Sequence, residues 1–353
     1  MKRPKPSGRR KRVAGAAIAN TADDRKGCPA GGGAAAGPWP NLAGRVHIFS
    51  GASHPQLAAE IAAYLGIPLS PSRTIRFSND NLYVQLLETV REQDVCILQT
   101  LSPPVQEHLM ELLLLLHAAR GTSARKVSAI IPYFSYSRSD KKDEPRISIA
   151  ARLVADLLVT AGAQHAMIMT MHAPQVHGFF SVPVDHLSSQ SILVQHFQQL
   201  DLSDTSVVVP DIGNAKRASR FARALGLPVV AGNKERVADD RVEIHGLIGD
   251  ISTRRAIIYD DEIATGGSVM AVIKILLDLG LSELYIACTH GLFSGPAVAR
   301  LASVPQLRQI VCTNTVPQRN SLPNLKVLSV APVFGEAIRR NLSGESLAPL
   351  FAY

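Results

Sequence analysis

The densest chemistry in the chain is the run Asp260-Asp261-Glu262-Ile263-Ala264-Thr265-Gly266-Gly267-Ser268, two adjacent carboxylates followed closely by hydroxyls and paired glycines. Glycines let a backbone approach an anion closely, and the amides at a helix start point at it. Thr265 and Ser268 add hydroxyl donors. Asp260 and Asp261 repel a phosphate but suit sugar hydroxyls or a hydrated magnesium ion. A ribose 5-phosphate carries both a phosphate and a diol. The same residues also fit an ordinary strand-to-helix turn with its capping groups, so the loop alone leaves both readings open.

Such a loop needs a strand before it and a helix after it. Ala256-Ile257-Ile258-Tyr259 is a short apolar run with β propensity, read as a buried strand that ends at the two acids. Val269 to Leu279 has the apolar spacing of a helix and is stopped by Gly280. Two other strands end on polar groups: Ile168-Met169-Thr170-Met171 reaches His172, and Val207-Val208-Val209-Pro210 reaches Asp211. Ligands bind beyond the carboxyl ends of strands in open parallel sheets, so parallel strands put these groups on one rim. A neutral imidazole and carboxylates can hold magnesium together with waters and substrate phosphates, although His172 by itself serves equally well as a hydrogen-bonded structural histidine.

Two more segments carry charge in a useful pattern. Tyr136-Ser137-Arg138-Ser139-Asp140-Lys141-Lys142-Asp143 reads as a polar loop, solvated by default, in which the planar fork of Arg138 suits phosphate. Asn233-Lys234-Glu235-Arg236 follows the strand Pro228–Ala231. In an extended loop Lys234 and Arg236 project to one side, and two cations there can clamp a transferring phosphoryl group.

The rest of the chain supplies the frame. Strands are expected at Val46–Phe49, Thr74–Phe77, Leu82–Leu86, Asp94–Gln99 and Lys126–Pro132, with helices at Gln56–Leu65 and after Pro103-Pro104 to Arg120. The alternation restarts at Ala166–Met171 and continues through Ser206–Pro210, Ala256–Tyr259, Glu283–Cys288 and Gln309–Thr313. This is an α/β pattern with largely parallel sheets, long enough for two domains. We divide it into a basic tail over 1–44, expected to be disordered, a first domain over 45–188 and a second over 189–353. The boundary is placed at the small polar pair Ser188-Ser189 after Val182-Pro183-Val184.

Charge and cysteine use narrow the class. The net charge of +8 sits in the tail, where residues 1–44 hold nine Lys or Arg and two Asp. The body holds 28 basic and 27 acidic residues, so a duplex-binding face is not indicated. Cys28, Cys96, Cys288 and Cys312 form no CxxC pair and no zinc spacing, and Cys96 and Cys288 lie in apolar runs. That fits a reducing compartment. No apolar stretch reaches membrane-span length. Val13–Ala19 is too short and interrupted for a secretory leader, and no cleavage site follows it, so a cytoplasmic protein is expected.

The run Asp260–Ser268 resembles the ribose-phosphate signature of type I phosphoribosyltransferases and of ribose-phosphate pyrophosphokinase. The second resemblance extends from about Arg45 to the C-terminus. It runs through Phe49-Ser50-Gly51, Pro132-Tyr133-Phe134, His172-Ala173-Pro174-Gln175 and Thr289-His290-Gly291-Leu292-Phe293-Ser294-Gly295-Pro296. It implies two phosphoribosyltransferase-like (type I) domains with parallel sheets flanked by helices, and a C-terminal helix packed back on the first half. It also implies transfer of pyrophosphate from ATP to the C1 hydroxyl of ribose 5-phosphate, with Mg2+ as cofactor. The matched positions make Lys234 and Arg236 catalytic and Phe77, Asn79, Asn81, Arg138, Asp140 and His172 ATP-binding. Asp260, Asp261, Thr265, Gly266, Gly267 and Ser268 would bind ribose 5-phosphate, and His172 and Asp211 the metal. The resemblance further implies a homo-oligomer, a hexamer built from dimers, in which the turn at Phe77 reaches a neighbour's nucleotide. Neither nucleic acid nor membrane is an expected partner.

Three positions depart from the family's pattern. Asn79-Asp80-Asn81 stands for an acid-glycine-acid sequence, Ala264 for an acid before Thr265, and Thr170 for an acid two residues before His172. They keep two alternatives open, a non-catalytic synthetase-associated regulatory subunit and a phosphoribosyltransferase.

Overall fold

The computed structural model describes residues 17–19, 42, 44–238, 241–249, 251–319 and 322–351, with the side chains of 17–19 and 233–245 outside the description. The first element, β1 (Ala17–Ala19), lies inside the segment expected to be a tail. In the N-terminal half follow β2 (Val46–Ser50), α1 (Pro55–Leu65), β3 (Ser72–Arg76), β4 (Leu82–Leu86), β5 (Asp94–Leu98), α2 (Val105–Gly121), β6 (Lys126–Ile131), α3 (Ala150–Ala161), β7 (His165–Met169) and β8 (Val184–Leu187). Strands β2-β5-β6-β7-β8 form a five-stranded sheet, parallel throughout. Every residue of β5 and of β7 is buried, as expected where helices cover both faces of a parallel sheet. Strands β1, β3 and β4 make a separate antiparallel flap.

The C-terminal half contains α4 (Gln190–Phe197), β9 (Thr205–Val209), α5 (Ala215–Leu225), β10 (Val229–Ala238), β11 (Arg241–Ile248), β12 (Arg255–Ile263), α6 (Gly267–Asp278), β13 (Glu283–Gly291), α7 (Ala297–Ala302), β14 (Leu307–Thr313), β15 (Leu325–Leu328) and α8 (Ala331–Ser343). Its seven-stranded sheet has the order β11-β10-β9-β12-β13-β14-β15. Only the β10–β11 pair is antiparallel. Here the structure corrects two expectations. The segment Asn233–Arg236 is not a loop but the continuation of β10, because β11 folds back and pairs with it. Strand β12 does not stop before the acids but runs through them to Ile263, since β13 pairs with it as far as Gly291.

Local sequence explains the helices. α1 starts with proline in its first turn, receives the His54 ring as a cap for the Leu57 amide at 3.3 Å, and stops at Gly66 in the left-handed region. Leu57, Ala58, Ile61, Ala62 and Leu65 form its buried face at helical spacing. The last helix, α8, packs on α1 rather than on its own half. Val330, Val333, Phe334, Ala337 and Ile338 share one core with Ile48, Leu57, Ile61 and Leu65. Gly335 allows the close approach, because a Cβ there would run into the Tyr64 ring.

A polar seam joins the halves beside this core. The buried His290 ring donates from Nε2 to the Thr170 carbonyl at 3.1 Å and accepts at Nδ1 from the Thr315 hydroxyl, 2.8 Å away. Thr100 donates to the Thr315 carbonyl at 2.7 Å. Burial pulls the His290 pKa down to about 4, consistent with a neutral ring in this seam. Among the described residues no helix is long and apolar enough to cross a membrane.

Candidate active site

The acids lie at the end of β12, the central strand of the seven-stranded sheet, just past its pairing with β9 and still paired with β13. Asp261 is 2% exposed, and its Oδ2 lies 2.6 Å from Nδ1 of His172, the residue that follows β7 in the other half. Arg217 of α5 adds a second cation 3.6 Å from the same oxygen and also donates to the His172 carbonyl at 3.1 Å. Among the described residues no cation stands within ion-pair distance of Asp260; it accepts from the Asn214 amide at 3.0 Å, which also reaches Asp261 at 3.3 Å.

These surroundings split the two carboxyls. Burial pushes Asp260 well above the usual carboxylate range, and the neighbouring Asp261 charge pushes it further. Burial acts on Asp261 in the same sense, but the His172 hydrogen bond and charge, with Arg217, outweigh it and hold that carboxyl below the usual range. The two carboxyls of the pair are thus pushed in opposite directions. Against a carboxylate, the His172 Nδ1 is the donor of this hydrogen bond.

After β12 the chain turns through Thr265 into α6. Gly266 has φ 75° and precedes the first helical residue, Gly267, two positions earlier than the apolar spacing implied. The left-handed turn requires glycine and aims the first amides of α6 outward from the strand end. Arg300 of α7 donates to the Thr265 carbonyl at 3.1 Å and so braces the turn from behind. Thr265 is exposed, while Gly267 and Ser268 are half-buried.

From the N-terminal half, a short 3-10 turn at Ser135–Arg138 opens the polar loop after β6. Arg138 reaches across to Glu262, 3.6 Å away, while staying 47% exposed. Asp140 accepts from the Gln175 side chain, which ties the loop to the segment after His172. Asp211 follows β9, and its Oδ1 accepts from the Gly213 amide at 2.9 Å. No contact joins Asp211 to His172, and among the described residues no group of three or more His, Cys, Asp or Glu side chains could hold a metal by itself.

Phe77, Asn79 and Asn81 lie apart from these groups at the tip of the β3–β4 flap. Phe77 is 50% exposed and tilts against Tyr83 at 5.9 Å between ring centroids, and the Asn79 carbonyl oxygen accepts from the Asn81 amide at 3.3 Å. Lys234 and Arg236 sit two residues apart on β10, with backbones opposite Ile244 and Val242; their side chains lie outside the description.

Several site residues were missed by sequence reasoning. Arg217 sits on the most polar helix, whose basic face resembles any solvated surface. Asn214 is the residue before that helix. Glu262 reads as one more polar residue after two acids, yet it is buried and faces Arg138 of the other half. For each, the partner is far away in the chain, and only the alternation of strand faces around Asp260 hinted that Glu262 would point inward.

Comparison with known proteins agrees with this geometry. The family model described as the N-terminal domain of ribose phosphate pyrophosphokinase matches residues 46–162, and that of the phosphoribosyl synthetase-associated domain matches residues 238–352. A Streptomyces coelicolor protein provisionally named a ribose-phosphate pyrophosphokinase is 54% identical over 308 residues, 87% of this chain and 97% of its own. The Deinococcus radiodurans ribose-phosphate pyrophosphokinase is 47% identical over 310 residues, 86% of this chain and 97% of its own. The crystal structure of phosphoribosylpyrophosphate synthetase from Mycobacterium smegmatis superposes with a TM-score of 0.79 at 34% identity, covering 85% of this chain and 99% of that one. The match spans nearly the whole length of these relatives, and this chain belongs to the ribose-phosphate pyrophosphokinase family.

Proposed function

We propose that this chain transfers the β,γ-pyrophosphoryl group of ATP to the C1 hydroxyl of ribose 5-phosphate, giving phosphoribosyl pyrophosphate and AMP. The observation that carries the reading, beside family membership, is the 2.6 Å contact between His172 and Asp261, which brings the strand ends of both halves to one place. The C1 oxygen attacks the β-phosphorus, and the bond from that phosphorus to the bridging oxygen of AMP breaks. Little covalent chemistry falls to the protein, so catalysis is positioning and charge stabilisation.

The ribose diol meets Asp260 and Asp261 as an unequal pair. Asp261, held by His172 and Arg217, accepts from one hydroxyl, and Asp260, held by Asn214, meets the other. Thr265, Gly266, Gly267 and Ser268 take the 5-phosphate through amides and hydroxyls at the start of α6. Arg138, Asp140 and His172 meet the nucleotide phosphates and ribose, with Phe77, Asn79 and Asn81 of a neighbouring subunit at the adenine. Lys234 and Arg236 neutralise the transferring group.

His172 Nε2 and the Asp211 carboxylate fit Mg2+, which takes one or two protein ligands, waters and substrate phosphates rather than a closed protein cage. The ion would supply charge neutralisation on the polyphosphate. The working form is a homo-oligomer, a hexamer of dimers, in the cytoplasm, where the free Cys96, Cys288 and Cys312 stay reduced.

A second reading, a non-catalytic subunit, draws on Thr170. It stands where the family pattern has an acid, at φ 43°, with its buried hydroxyl lacking a partner. Incubating the purified chain alone with ATP, Mg2+ and ribose 5-phosphate separates the readings: AMP and phosphoribosyl pyrophosphate should appear in equal amounts, and their absence refutes catalysis.

A further inference from the structure

We propose that Glu262 is a positioning residue that ties the nucleotide loop to the sugar-phosphate strand through Arg138, a role that rests on the reaction proposed above. Its carboxylate is 6% exposed, and burying such a charge is costly unless partners meet it. Both partners come from the other half of the chain. Arg138 Nη2 stands 3.6 Å from Oε1, and Tyr133 lies beside the carboxylate. Tyr133 is itself buried and packs against His290 with ring centroids 4.8 Å apart. His290 is the β13 residue in register with Glu262. The carboxylate is therefore fixed by its strand, by the strand beside it and by a ring wedged between the halves.

Arg138 is held differently. It lies on a short turn and keeps 47% of its side chain exposed, so one part of the guanidinium faces Glu262 and the rest faces the rim. A guanidinium anchored through one edge presents the remaining donors in a fixed plane, which is what phosphate recognition by a planar fork needs. Because Glu262 directly follows Asp260 and Asp261, the anchor sets the distance between the groups that hold the sugar and a group that holds the polyphosphate. A carboxylate near a polyphosphate also repels it, so the anchoring role and simple repulsion make opposite predictions for nucleotide affinity.

The test is a double-mutant cycle on the full chain, read by calorimetric binding of α,β-methylene-ATP with Mg2+ and, separately, of ribose 5-phosphate. If Glu262 acts through Arg138, Glu262→Gln weakens analogue binding and lowers kcat/KM for ATP about tenfold to a hundredfold, the scale on which misplacement of a positioned group is felt. Ribose 5-phosphate affinity stays at the parent value. In an Arg138→Met background the same substitution should change analogue affinity by less than about twofold, because the group it orients is gone. Glu262→Asp, which holds the charge one methylene further from Arg138, should show a smaller loss of the same kind and carries the test if Glu262→Gln does not fold. Unchanged or tighter analogue binding in Glu262→Gln, or full effects in both backgrounds, overturns the proposal. A parent chain that forms no AMP refutes the reaction, while the binding cycle still decides the coupling.

Discussion

In the N-terminal half Arg138 and His172 stand on loops that leave the sheet, whereas in the C-terminal half the acids they meet stand on the strand itself. Arg138 and His172 keep 47% and 41% of their side chains exposed, while Asp261 and Glu262 keep 2% and 6%. Strand β12 is paired on both sides as far as Ile258 and with β13 alone through its acids, so these cannot shift without breaking ladder hydrogen bonds to β13. The loops after β6 and β7 are joined to it by side-chain contacts alone, at His172–Asp261 and Arg138–Glu262. Two sheets of one kind thus serve unlike tasks: one supplies a rigid cradle suited to a small sugar phosphate, the other adjustable arms suited to a long polyphosphate.

The largest expected effect tests whether the C-terminal half also carries the chemistry. Lys234→Ala should cut kcat about a hundredfold to a thousandfold while ribose 5-phosphate affinity barely changes, as for loss of a group felt in the transition state. Turnover equal to the parent would remove Lys234 from the mechanism and leave the C-terminal half as a cradle only.

Next is the seam between the halves. His290 keeps its pKa at about 4 in the folded chain against an unfolded 6.5, because burial disfavours the charged ring. The unfolded state then takes up a proton that the folded state refuses. Stability from this residue is complete above pH 6.5 and falls as pH drops towards 4, by on the order of 1.4 kcal/mol, or about tenfold in the folding constant, per pH unit. Urea unfolding across that range should show a shallower pH slope in His290→Asn than in the parent; identical slopes would mean that the seam does not exclude protons.

A fourfold effect asks whether the N-terminal arms are completed by another subunit. Phe77→Ala spoils the flap, and His172→Ala spoils the receiving site. Mixed at random, the two inactive variants should recover about a quarter of parent activity, since half the dimers are mixed and one of their two sites is intact. No recovery after verified subunit exchange would place the flap and the site in one chain.

The smallest effect concerns the basic tail. A chain starting at Asn41 loses the three-residue edge strand β1 of the flap but keeps the β3–β4 pair, and it should fold and turn over like the parent, because the excised residues carry charge without a periodic apolar pattern. Loss of activity or of soluble protein would attach the tail to one of the two halves.

Where the sequence was readable, local rules sufficed. α1 shows its proline start, its apolar face and its Gly66 stop, and β5 and β7 show as short apolar runs. It was least readable where tertiary pairing overrides propensity. Aspartates are poor strand residues, so β12 was expected to stop at Tyr259, but β13 carries it on to Ile263. The polar run Asn233–Arg236 likewise becomes strand because β11 returns beside it. The acids of the site and its glycine turn were legible from their spacing. Arg217 and Glu262 were not, because each gains its meaning from a partner in the other half of the chain.

The docking of α8 on α1 has a consequence for how the protein is made. As a ribosome delivers the chain, Ile48, Leu57, Ile61 and Leu65 emerge early, but the helix that seals them begins 266 residues after Leu65, at Ala331. At roughly 5–20 residues per second, that delay is about a quarter of a minute to a minute. For that interval the first half stands outside the ribosome with an oily groove open, unable to complete its core in the order it is synthesised. A stop codon anywhere before α8 therefore leaves the first half incomplete as well as the last.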